Sequence, residues 1–393
     1  MLLAFNLRIA VGSLGVVLGS VRGDLAMSTT VGGVLTTLPV LCFAFFGVGS
    51  GRAVRRHGLH RTAVVLLIMV AAGIALRSVV DSGALFLLCS VVALAGAAVG
   101  NVILPPLVKV HFPDRIVAMS ALYGAALMSG AAVSSFTTVP LSDVAGGWRT
   151  GLGLWSVVAV VALVPWLLLS RHDVHRAPDA QHRLTLRDLA RSRLAWAMLL
   201  LFGSQSAIAY AQFGWFAEIL TDSGVSQGYA GALLGVISGV GIPLALGLPW
   251  LIRRVGARPW LPWAFSAVTI GGWVGILVSP ASIPWLWAIL LGLGGGAFTW
   301  TLTMIARKTA TAAGTTALSV TTQGCGYVLA SIGPFGTGLL HDLTGSWTVP
   351  VIVLIVLGAL IAVFGTIVSR SPDLEDTLRR RAAPEDAPPA AAN

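Results

Sequence analysis

Long apolar segments alternate with short polar ones along almost the whole chain. Each apolar segment has roughly 18 residues or more, the length that a helix needs to cross a hydrocarbon layer of about 30 Å. Backbone polar groups in lipid must find partners within their own segment, so every such segment is expected to be an α-helix. The pattern predicts twelve spans, numbered in chain order: 2–20, 30–50, 62–79, 83–107, 118–139, 150–170, 194–218, 227–250, 259–279, 284–305, 315–340 and 347–369.

Positive charge is concentrated in every second loop. Arginine and lysine follow spans 2, 4, 6, 8, 10 and 12, whereas the opposite side has only Arg22, Arg77 and Arg149. Basic loops stay on the cytoplasmic side of a membrane, which predicts cytoplasmic N- and C-termini. The formal charge of +10 therefore needs no nucleic-acid partner, and lipid is the expected surrounding. We expect no cleavable signal peptide, because the first apolar segment lacks a basic leader.

The chain also matches itself at an offset of 198 to 199 residues. Ser28 aligns with Ser226, and Gly58 aligns with Gly256. Six spans, a basic linker and six further spans predict two similar bundles that can rock about a central site. The predicted division is an N-terminal six-helix bundle at 1–170, a cytoplasmic linker at 171–193, a C-terminal six-helix bundle at 194–369 and a disordered cytoplasmic tail at 370–393.

The loop after span 2 is the first feature that points to a family. It reads Gly-Arg-Ala-Val-Arg-Arg-His-Gly-Leu-His-Arg from position 51 to 61. This resembles the loop signature of the major facilitator superfamily, although Arg55 occupies its usual acidic position. The resemblance implies an all-α membrane protein with the major facilitator fold, twelve transmembrane helices in two pseudo-symmetric six-helix bundles. It also marks a gating loop motif with a second copy after span 8; the residues concerned are Gly51, Arg55, Arg56, Gly58, Arg61, Arg253, Arg254 and Gly256.

Other segments resemble one branch of that superfamily more specifically. Asn6-Leu7-Arg8, the Asn-Val-Ile-Leu-Pro run from position 101 and the Leu-His-Asp-Leu-Thr-Gly-Ser-Trp run from position 340 are similar to the cyanate and 2-nitroimidazole transporter branch. The resemblance implies a secondary transporter of a small cyanate-like anion or nitroimidazole-like compound in the bacterial inner membrane, working by rocker-switch alternating access. It implies no cofactor. A proton-coupled drug or metabolite efflux pump of the same fold is the alternative, although span 5 lacks the proline of the usual efflux motif.

Arg8 is the leading candidate for the substrate site, because it is the only basic residue well inside a predicted span. A cation at the bilayer centre costs about 2.5–3.5 kcal/mol on insertion scales, so such residues usually face a cavity. A planar guanidinium can bind an oxyanion, cyanate or a nitro group through paired donors. The alternative is that Arg8 reaches back to the nearby cytoplasmic surface. Asn6 and Asn101 are further polar candidates, although Asn6 is about 200° around the helix from Arg8.

Amides and aromatic rings in the C-terminal half could orient and enclose a small polar ligand. Span 7 has Tyr210 and Glu218 among its polar residues. The substrate-binding candidates in this half are Gln205, Trp300, Gln323 and Tyr327. No metal site is expected, because the three cysteines lie within spans and suit apolar packing. No carboxylate lies at mid-membrane, and no enzyme motif occurs within a span. We therefore expect a monomeric carrier of a small molecule and not an enzyme.

Overall fold

The computed structural model describes residues 1–170, 189–256 and 258–377, and within them the chain forms helices and no strand. Most of the predicted linker and the end of the predicted tail lie outside this range. The division into two bundles, a linker and a tail therefore stays a prediction.

Ten helices in the described part of the chain are long and apolar enough to cross a membrane. Several have 29 residues, which corresponds to about 43 Å at 1.5 Å per residue. They are longer than the hydrocarbon layer, so their ends project beyond it. The ten are Thr29–His57, Leu59–Arg77, Gly83–His111, Ile116–Val144, Trp148–Leu169, Arg193–Asp222, Gln227–Val255, Trp260–Val278, Pro284–Arg307 and Thr348–Arg370.

Span 1 is divided into two helices, Leu2–Gly15 and Leu18–Asp24, whose axes differ by 61°. Counted together, they form an eleventh candidate span. The break releases backbone groups at Val16, and the Gln227 side chain of span 8 donates a hydrogen bond to the Val16 carbonyl at 3.1 Å. A side chain from the other half of the chain thus supplies a hydrogen-bond partner for a carbonyl that the bend leaves free.

The sequence predicts span 11 as one helix at 315–340, and the structure divides it. Helical segments follow one another closely over Ala312–Val320, Gly326–Ala330 and Ile332–Thr344, with a π-helical turn at Thr321–Cys325 between the first two. A π turn inserts one residue and so changes which side chains share a face on either side of it. The turn includes Gln323, one of the predicted site residues.

The internal repeat is visible in the backbone. Ser28 and Ser226 each accept a hydrogen bond at the N-terminus of their helices, from Val31 and Tyr229 respectively. Gly58 and Gly256 end the same two helices with φ of 84° and 76°, a conformation that favours glycine. Residues 198 positions apart therefore perform the same local task.

The two halves of the chain are in close contact toward one end of the described bundle. We call the end with the loops at 25–28, 145–147, 223–226 and 345–347 the far side, and the opposite end, which has the chain termini, the termini side. Span 1 meets span 7 so closely that a Cβ on Gly15 would lie 1.8 Å from the Phe213 carbonyl oxygen. Near the far side, a Cβ on Gly33 of span 2 would lie 3.3 Å from the carbonyl oxygen of Phe335 in span 11.

Candidate functional site

Arg8 lies in the seam between the two halves of the chain. Its side chain is only 7% exposed, and Nη1 donates a hydrogen bond to the Tyr210 hydroxyl of span 7 at 3.1 Å. Its Nε is buried without a hydrogen-bond partner among the described residues. The guanidinium is thus held at depth by the opposite half and does not reach back to the surface, which leaves it with an unused donor.

Two aromatic rings lie beside the guanidinium, and two more pack against them. Its Cζ lies 5.8 Å from the ring centroids of both Phe43 and Tyr210, within the range of a cation–π interaction. Tyr327 stacks on Phe43 at 5.3 Å, and Phe202 meets Tyr327 edge-on at 4.9 Å. We call Phe43, Phe202, Tyr210 and Tyr327 the aromatic cage. It draws on spans 2, 7 and 11, so both halves build the surroundings of one cation.

The cage offers apolar walls and few charges. Within the described residues, no carboxylate forms an ion pair with Arg8. A buried cation without an opposite charge is costly, and a planar anion or nitro group would supply the missing acceptor. Flat aromatic faces suit a flat ligand beside the guanidinium.

Tyr327 is thus the one predicted site residue, besides Arg8 itself, that belongs to this group, through its contacts with Phe43 and Tyr210. Asn6 turns away toward span 6, donating to the Leu2 carbonyl at 2.9 Å and to the Val158 carbonyl at 3.4 Å. Gln205 is 5% exposed and donates to the neighbouring Ser206 hydroxyl.

The remaining predicted site residues have no described contact with the aromatic cage. Asn101 donates to the Ala97 carbonyl one turn earlier in its own helix. Trp300 is 1% exposed and packs in the apolar core, with its indole N–H buried and unpartnered among the described groups. Gln323 donates to the Ser319 hydroxyl at 2.7 Å. Their roles as substrate contacts stay predictions.

The gating loop motif is described only in part. The surroundings of Gly51 and the side chain of Arg55 are outside what the structure describes. Arg56, Arg61 and Arg253 are exposed, and Arg254 lies over the Trp250 ring at 4.1 Å. Exposed arginines at helix ends are typical of a membrane surface.

Sequence reasoning missed two features. Phe43 and Phe202 were not among the candidates, since an apolar ring within an apolar span gives no signal in the pattern. The sequence places Arg77 with the few basic residues on the far side, and nothing in the pattern predicts its burial. It is fully buried, with Nη1 3.3 Å from the Ala10 carbonyl and Nη2 3.4 Å from the Ser13 hydroxyl of span 1. Arg8 is therefore not the only basic residue within the bundles.

Three kinds of comparison place the chain among known proteins. A profile of the Major Facilitator Superfamily matches residues 1–334. The 2-nitroimidazole transporter of Escherichia coli is 32% identical over 375 residues, which is 95% of this chain and 95% of that protein. The cyanate transport protein CynX of the same organism is 27% identical over 351 residues, 88% of this chain and 90% of its own length.

A solved structure shares the fold at low sequence identity. It is a bacterial homologue of the human lysosomal transporter Spinster, in an inward-facing and unoccupied conformation. It superimposes with a TM-score of 0.76 at 15% identity and covers 94% of this chain and 95% of its own.

Proposed function

The chain belongs to the major facilitator superfamily, and on this premise we propose that it carries a small planar solute, a cyanate-like anion or a nitroimidazole-like compound, past Arg8. Transport in this superfamily is secondary and proceeds by alternating access. The observation that carries the proposal is the buried Arg8 guanidinium, held by Tyr210 across the seam and left without a carboxylate among the described residues.

The chemistry of the cage fits this class of solute. Cyanate and nitro groups present acceptor oxygens or nitrogens to the guanidinium, and a flat ring or rod can lie against aromatic faces. A solute that takes the Arg8 donors competes with the Tyr210 hydroxyl, so binding changes a contact between the two halves. Such a contact couples the site to the relative position of the bundles, as alternating access requires.

We further propose that the termini side faces the cytoplasm of a bacterial cell and the far side faces outward. The bias of arginine and lysine toward the termini-side loops supports this orientation. Bonds between the halves lie at the far side and the seam in the described structure, which supports an inward-facing arrangement. One chain already has both halves of the pathway, which supports a monomeric carrier in lipid.

The test is uptake of labelled cyanate and of 2-nitroimidazole into proteoliposomes. Arg8→Ala should weaken the affinity for the transported solute by roughly 10- to 150-fold. This is the equivalent of about 1.5–3 kcal/mol for a hydrogen bond to a charged group. Arg8→Lys keeps the charge and loses the planar fork, so it should recover part of the loss. Arg77→Met is the matched control, since it removes a buried arginine that does not touch the aromatic cage.

Uptake by well-folded Arg8→Ala at the normal rate would refute the role of Arg8. The efflux alternative is separated by the same vesicles: an efflux pump should accept bulkier organic substrates, and counterflow with each solute reveals its range. Active transport of bulky drugs with no cyanate or nitroimidazole transport would favour the pump.

A further inference from the structure

A cavity of about 320 Å³ lies between the two halves at the far side. Span 1 lines one wall with Gly15, Val16, Gly19 and Ser20, and spans 7 and 8 line the other. The C-terminal lining residues are Ala217, Glu218, Thr221, Val225 and Gln227. Glu218 is the only ionisable group on this wall. The cavity is separate from the aromatic cage, with which it shares no residue.

Glu218 has one occupied and one unused oxygen. Oε1 forms an ion pair with Arg22 of span 1, and this bond joins the two halves. Oε2 is buried without a hydrogen-bond partner among the described residues. The side chain is 12% exposed, so water replaces the missing partner poorly. A buried, half-satisfied carboxylate beside a cavity is a natural acceptor for a proton.

Arg22 is held in place independently of Glu218. Its Nη2 donates to the Thr29 hydroxyl, and its Cζ lies 5.8 Å from the Trp215 ring centroid. Loss of the Glu218 charge would therefore weaken the bond across the seam while leaving Arg22 ordered. The bond between Arg22 and Glu218 would lose part of its strength, because a hydrogen bond between ions is roughly twice as strong as one between neutral groups.

We propose that Glu218 is a proton-binding site reached through this cavity, and that proton uptake releases the Arg22 bond that holds the two halves together at the far side. A proton from solution adds to the carboxylate Oε2 and gives a neutral carboxylic acid; nothing else is consumed. This goes beyond the proposed function, which leaves the driving ion open. It also gives protons a binding site in a chain whose sequence places no carboxylate at mid-membrane.

A metal cation suits the site less well. Hard cations take six or more oxygen ligands, whereas here one carboxylate stands against an arginine that repels cations. Other charged groups act on Glu218 from the elements around it. They are Arg22 on span 1, Asp222 on its own helix and Asp342 on span 11. His341 on span 11 interacts with the same three groups. His341 is the second group that could respond to pH here, so the test must distinguish the two.

The test measures how readily the far side opens, without any substrate. Ala217 lines the cavity and is 3% exposed, so a cysteine there reports opening through its rate of reaction with a thiol reagent. Val144→Cys, at a position 90% exposed at the far-side end of span 5, corrects for the pH dependence of thiol chemistry. Both are measured in the full chain in lipid nanodiscs, and labelling of the three native cysteines is subtracted using the parent chain.

Lowering the pH from about 8 to about 5 should raise the corrected rate at Ala217→Cys by about fivefold, equivalent to about 1 kcal/mol at 1.4 kcal/mol per factor of ten. Glu218→Gln should give a high rate that does not change with pH, and His341→Gln should keep the response. A pH-independent rate in the parent background would overturn the proposal even if Glu218→Gln failed to fold. The proposal would also be overturned if His341→Gln abolished the pH response of the labelling rate, or if that rate followed the Na⁺ concentration instead of pH. Since no solute is present, none of these outcomes depends on the proposed substrate class.

Discussion

The contact between Gly15 and the Phe213 carbonyl makes a sharp test of how the two halves move. A Cβ on Gly15 would lie 1.8 Å from that oxygen, well inside the 3.0 Å that real Cβ atoms almost never breach. The obstacle is backbone, so no side chain can turn aside, and spans 1 and 7 must separate. Overpacking of this kind costs about 1–3 kcal/mol.

Gly15→Ala should therefore disfavour the arrangement in which the far side is closed. If the open arrangement relieves the clash, the equilibrium between the two should shift by roughly 5- to 150-fold. Gly19→Ala is the matched control, because a Cβ on Gly19 of the same span meets nothing within 4 Å. Its expected effect is limited to helix propensity, about 0.5–1 kcal/mol in favour of alanine.

Electron–electron distance measurements can read the shift directly. Spin labels at Val144 and Val278 report on the far-side ends of spans 5 and 9, one in each half, at positions 90% and 77% exposed. The native cysteines are first replaced by alanine. Gly15→Ala should add a longer distance to the distribution, and Gly19→Ala should reproduce the parent. Superimposable distributions for all three proteins would refute the reasoning.

Three further predictions follow from other contacts. Arg77→Met should leave the melting temperature unchanged or raise it, because the charge of a buried arginine with two long hydrogen bonds stabilises the fold little. Arg77→Ala should lower the melting temperature, because it leaves a void. A strong loss of stability with methionine would contradict this. Burial alone would raise the pKa of Glu375, but hydrogen bonds from the backbone of Ala310 and from Thr311 hold its pKa below the ordinary value. The docking of this segment is therefore fully present above the unfolded glutamate pKa of about 4.3 and is lost as pH falls through the lower folded value. Protection of the Thr311 amide against hydrogen exchange, relative to its intrinsic rate, should fall there, and in Glu375→Gln this protection should be low at every pH. A double-mutant cycle of thermal stability with Tyr210→Phe and Arg8→Gln should give a coupling energy of up to about 1.5–3 kcal/mol, the value for a hydrogen bond to a charged group. Strictly additive effects would show that the bond across the seam does not contribute to stability.

The aromatic cage shows how far the candidate site could be predicted. Arg8 was found because charge within an apolar span is rare, and Tyr327 because a hydroxyl on an apolar helix is conspicuous. Phe43 and Phe202 were invisible, since a ring in an apolar run fits lipid, helix packing and a cage equally well. Tyr210 was visible as a polar residue of span 7, but its bond to Arg8 joins residues 202 positions apart and leaves no local signal.

By itself the sequence determined where most spans lie, the side on which positive charge accumulates and the repeat at 198 to 199 residues. These properties follow from length, hydropathy and loop charge, which act locally along the chain. Tertiary structure alone decided the bend in span 1, the burial of Arg77, the cage around Arg8 and the pairing of Arg22 with Glu218. In lipid, the faces of a helix that touch acyl chains and those that touch other helices are about equally apolar, so the pattern of hydrophobic residues does not say which face turns inward. Only packing against the other half makes that choice.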